Sequence, residues 1–114
     1  MEKFLYLFRG VAPMGDTYNL PQEQMQKWMK WMESLGQKGI LVGGEPLQST
    51  GKFVSGSKKV VTDGPFVEAK ELVGGYLVVN AKDINDAVEI SKGCPILEYE
   101  TGIVEVREIQ ELKM

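Results

Sequence analysis

The chain contains no histidine. That removes the side chain most often used for proton transfer near neutral pH, and the commonest metal ligand. It has one cysteine, Cys94, in 114 residues. No intramolecular disulfide can form, and a zinc site would have to rest on carboxylates. We therefore expect neither a metal nor a cofactor. Positive charge is also short. Thirteen Lys and Arg stand against 16 Asp and Glu, for a net charge of −3. This argues against nucleic-acid binding, which needs a basic surplus on one face. No apolar run approaches the roughly 20 residues that span a bilayer. Glu2, Lys3 and Arg9 bracket an apolar run too short for a signal peptide. A cytoplasmic protein with no membrane partner is expected.

What is present is an ordinary globular composition, 43% hydrophobic and 25% charged, enough for one core without disulfides. The chain shows no linker, repeat or low-complexity segment, so residues 1–114 read as a single domain. Residues 3–9 read as a strand with Phe4, Tyr6 and Phe8 on one side and Leu5, Leu7 and Arg9 on the other. Both sides are mostly apolar, so both should be covered, one by helices and the other by a second protomer. After a connection over 10–20, a helix is expected from Pro21 to Leu35. Its apolar positions are Met25, Trp28, Met29, Met32 and Leu35, with Gly36 as the stop. Trp31 lies at the edge of that stripe and is expected at a protein–protein contact or under a loop.

Ile40-Leu41-Val42 reads as a short strand ending at Gly43-Gly44. Residues 52–62 read as a hairpin with its tip near Ser55-Gly56-Ser57. A strand follows over 72–79. A second helix runs from an Asp83 cap to Lys92, with Ile84, Ala87, Val88 and Ser91 on one face. A last strand covers 102–109. Gly51 to Lys58 does not form a phosphate loop, because Gly-Ser-Lys stands where Gly-Lys-Ser/Thr is needed. Cys94 lies beyond a helix C-terminus, where the dipole disfavours a thiolate, and reads as a buried small residue.

The run Asp63-Gly64-Pro65-Phe66 holds the strongest local signal. Gly64-Pro65 marks a turn. An aspartate in a turn usually accepts from the N–H two residues on, but Pro65 has none, so the Asp63 carboxylate must find another partner or face a cavity. Its two readings are a turn cap and a site carboxylate. Arg9, at the end of the first strand, reaches solvent, pairs with Asp63 or Glu45, or binds an anion through its planar fork. Glu45 is a solvated loop charge or faces the same cavity. Phe66 and Tyr76 are core residues or pocket walls.

The stretch Val61-Thr62-Asp63-Gly64-Pro65-Phe66-Val67-Glu68-Ala69-Lys70-Glu71, followed by Gly74-Gly75-Tyr76, resembles the signature of the DGPF group within the YCII-related family. Leu7-Phe8-Arg9-Gly10, Gly44-Glu45-Pro46-Leu47 and Val104-Glu105-Val106-Arg107 extend the resemblance along the chain. It implies an α+β fold. The protomer would be ferredoxin-like, an antiparallel sheet with two main helices on one face, pairing into a dimeric α+β barrel. In the wider family an Asp is proposed to act with a His. Asp63 matches the Asp, and no residue here matches the His. Members of the group also occur attached to some sigma factors. The resemblance therefore implies a homodimeric small-molecule-binding or regulatory module. The alternative is a cofactor-free enzyme on a small organic, possibly anionic, substrate. In that case Asp63 would be the acid or base, and Arg9, Glu45, Phe66 and Tyr76 would hold the ligand.

Overall fold

The computed structural model describes residues 1–10, 21–48, 50–64 and 73–112. Strand β1 spans Glu2–Arg9 and helix α1 spans Gln22–Gln37. Strand β2 is Leu41–Pro46, and β3 and β4 are Gly51–Ser55 and Val60–Gly64. Strand β5 is Gly75–Ala81, helix α2 is Ile84–Ser91, a 3-10 turn covers Pro95–Glu98, and β6 is Ile103–Glu108. β2, β5, β1 and β6 form an antiparallel sheet in that order. Each helix thus crosses between strands that are not neighbours, as in a ferredoxin-like α+β fold. The β3–β4 hairpin is a separate two-stranded sheet.

The alternation in β1 works as its sequence implies. Phe4, Tyr6 and Phe8 are buried with Leu77, Val79 and Ala81 of β5. Both helices cover that face. Tyr6 stacks on Trp31 of α1, with ring centroids 6.4 Å apart, and its hydroxyl donates to the Ala87 carbonyl of α2. Leu5, Leu7, Tyr76 and Val78 leave the opposite face and are only half-buried.

Element ends differ from the sequence reading in instructive ways. Pro21 precedes α1 with extended ψ (142°) and is not its first helical residue. The helix continues through Gly36. It stops at Gly39, whose φ of +72° is costly for a residue with a Cβ. There Ile40 N–H bonds the Leu35 carbonyl and Gly39 N–H that of Gly36, a Schellman closure. The buried stripe of α1 is rotated from the expected one. Gln24 and Leu35 are buried, and Trp28, Trp31 and Met32 pack on the core. Gln24 is held inside by donating to the Pro95 carbonyl at 3.3 Å. Met25 and Met29 are exposed.

β2 does not end at Gly43-Gly44. It bulges between Leu41 and Gly43 and runs on beside β5. Asp83 caps α2 as expected, accepting from Asp86 N–H at 2.8 Å. On that helix Ala87 and Ser91 are buried while Ile84 and Val88 stay exposed, so the packed face is narrower than the four residues expected to share it. Trp31 lies under the turn at Gly93, where an added Cβ would come within 3.0 Å of the indole Nε1.

Candidate functional site

α1 and the β2–β5 edge do not close against each other. One wall of the resulting cleft is Met25, Trp28, Met29 and Met32, which share a helix face at spacings of three and four. The other is the sheet, with Phe8, Gly44, Gly75 and Leu77. Gly44 lies opposite Leu77, and Gly75 lies between Phe8 and Pro46 in register. Three glycines, Gly44, Gly74 and Gly75, contribute backbone to the lining. A Cβ on Gly44 would overlap the Leu77 side chain and the Tyr76 carbonyl.

The cavity measures about 220 Å³. An apolar cavity of roughly 150 Å³ holds benzene, so this one suits a single substituted ring or a compact aliphatic molecule. Trp28 stands edge-on to Phe8, 5.0 Å away at 86°, and to Trp31, 6.0 Å away at 79°. Of these rings, Phe8 and Trp28 line the cleft. The Trp28 indole Nε1 is shut off from solvent and has no acceptor among the described residues.

Glu45 and Tyr76 sit opposite each other in the β2–β5 ladder and line the cleft. They lie in the alternate phase of the pleat to Gly44 and Leu77 and so join it at the edge. Among the described residues Glu45 is the only charged side chain in the lining, and no Lys or Arg belongs to it.

A family model described as the YCII-related domain matches residues 12–113. The chain belongs to the YCII-related family. No match to a curated protein sequence accompanies it. Among solved structures it is similar to 5-chloro-2-hydroxyhydroquinone dehydrochlorinase (TftG) from Burkholderia phenoliruptrix AC1100, in complex with 2,5-dihydroxybenzoquinone. The TM-score is 0.55 at 13% identity, over 95% of this chain and 93% of that one. At that identity the likeness speaks for the fold alone.

The remaining site candidates of this YCII-related chain fall elsewhere. Asp63 is not in a turn but in β4, opposite Lys52, whose ammonium bonds its carboxylate in an exposed cross-strand pair. The ladder continues through Gly64 and supplies the partner that the turn would have lacked. Arg9 pairs through Nε with Glu105 Oε1 at 3.0 Å, on the sheet face away from the helices. Among the described residues Asp63 pairs with Lys52 and Arg9 with Glu105, and no described ion pair joins Asp63 to Arg9. Neither residue lines the cleft. Phe66, and the connection over 10–20 apart from Gly10, lie outside the described residues.

Two groups that carry latent chemistry are buried instead. The Cys94 thiol is pushed up to about 12 by burial, so it is no ready nucleophile. Burial likewise raises the Tyr6 phenol above its ordinary range, with the Asp86 carboxylate adding to the effect.

The methionines of α1 are the residues that pattern-reading placed in the core and the structure places at a site. Their spacing does not separate core from cleft, and only their residue type offers a hint. Met is flexible and polarizable, and recurs on adaptable binding surfaces.

Proposed function

We propose that this YCII-related protein is a small-molecule-binding module whose ligand is compact, apolar and uncharged. The observation that carries the reading is the cleft between α1 and the β2–β5 edge, walled by Met, Trp and Phe and lacking a cation among the described residues. An anionic ligand is disfavoured there, because a desolvated carboxylate needs a positive or multiply donating partner. This departs from the anionic substrate considered from sequence. That TftG, with the same fold, binds a one-ring quinone is in keeping with a ligand of this size.

The test compares phenol with benzoate, two single rings that differ in charge. Phenol should raise the melting temperature and quench Trp28 fluorescence, and benzoate should do neither. Equal binding of the two, or no binding of phenol at saturating concentration, would sink the proposal. The enzyme alternative, with Asp63 as acid or base, has less support. That carboxylate sits on an exposed hairpin and is engaged by Lys52. Turnover of a bound ring that is lost in Asp63→Asn would restore it.

We further propose that two protomers pair through the sheet face carrying Leu5, Leu7, Tyr76 and Val78, which no helix among the described residues covers. Burying apolar side chains of this size contributes roughly 1.5–3 kcal/mol each.

A further inference from the structure

The β3–β4 hairpin is exposed from Gly51 to Asp63. An isolated two-stranded hairpin is marginal in water, and three strands or a packing partner are needed for stability. This one is apolar on both sides. Val54 and Val61 oppose each other beside the Lys52–Asp63 pair on one side. Phe53 opposes Thr62 on the other, the side shared by Val60. Phe53, Val54, Val60 and Val61 are 47%, 67%, 52% and 58% exposed. Solvent normally meets such residues singly, not as a two-sided strip.

The whole molecule is correspondingly spread. Its radius of gyration is 15.3 Å, against about 13 Å for a compact domain of this length.

We infer that this hairpin is an arm that clasps a second copy of the same chain. Charge favours that occupant. Three lysines, Lys52, Lys58 and Lys59, against Asp63 give the arm +2, which leaves −5 for the rest of a chain of net −3. The arm and the remainder of a second copy therefore carry net charges of opposite sign. An arm with two apolar sides also fits a position between two surfaces of a dimer better than one laid flat on a single sheet. The inference rests on the pairing of protomers proposed above and adds the element that locks it. It does not depend on the ligand.

The test is sedimentation equilibrium of the wild type, of Val54→Thr/Val61→Thr and of Lys58→Glu/Lys59→Glu, with amide hydrogen exchange of the arm at high and low protein concentration. The threonine pair keeps strand propensity and cross-strand contact, so the hairpin itself survives. We expect a wild-type dimer whose arm amides are protected only at high concentration. Each variant should raise the dimer dissociation constant by about tenfold or more. The charge-reversed variant should also lose the salt dependence of association. If the wild type pairs, both variants pair as tightly and the arm amides exchange freely, the arm is not a clasp and the sheet-face pairing stands alone. A wild type that remains monomeric at high micromolar concentration overturns both, and assigns the arm to a partner of another sequence.

Discussion

Gly44 shows how much one residue controls in this fold. It is the point where the edge strand passes beneath α1, and any side chain there overlaps Leu77. Gly44→Val should abolish phenol binding and cost about 1–3 kcal/mol through overpacking, measured by fluorescence quenching and urea unfolding. Asp63→Asn is the matched control. Its partner is a lysine on an exposed hairpin, so both binding and unfolding should stay at wild-type values. Cys94 makes a different kind of prediction. Its thiol titrates near its ordinary value of 9.0 in the unfolded chain and at about 12 in the folded one. The folded state therefore holds its proton more tightly. The stabilisation is complete below pH 9 and is lost as pH rises toward 12, by about 1.4 kcal/mol per pH unit for one group. Urea unfolding between pH 8 and 11 should show this fall, and Cys94→Ala should flatten part of it, the remainder belonging to Tyr6.

At the scale of elements, the two helices are held by different means. α1 is 16 residues long, has no side-chain cap at its start, and is anchored by Trp28, Trp31, Leu35 and the buried Gln24. α2 has only eight residues, too few to be stable by propensity. It depends on the Asp83 cap, on Asp86 in its first turn, and on Ala87 against the sheet. Asp83→Ala should therefore lower stability by about 1 kcal/mol. The loss should appear as a lower urea midpoint with an unchanged slope, and a slope change would mean that α2 unfolds separately.

At the scale of the molecule, both helices cover one sheet face, and among the described residues no helix covers the other. No helix among the described residues is long and apolar enough to cross a membrane. Val78 lies in the middle strand pair of the open face, opposite Leu5. Val78→Asp should yield a monomer by light scattering while phenol binding persists, because Val78 is not part of the cleft. A dimer that survives this substitution would place the contact elsewhere.

The pattern of residues alone determined the order of the elements, the inward face of β1, the Asp83 cap and the membership of an α+β family. Each of these is local, or repeats with the period of a strand or helix. Met25, Met29 and Gly44 carried no such message. An apolar helix position reads the same whether it meets a core or an empty cleft, and only the glycines across the gap tell the two apart. The Lys52 partner of Asp63 was not legible in the Asp63-Gly64-Pro65 run itself. Lys52 is a cross-strand neighbour, and the register that aligns the two is set by the loop between Ser55 and Val60, not by the turn-like dipeptide that follows Asp63. Arg9 found Glu105 for the same cause: the pairing of β1 with β6 brings together residues 96 positions apart. What the tertiary structure decided was where apolar surface is left uncovered, since exposure depends on which elements fail to meet.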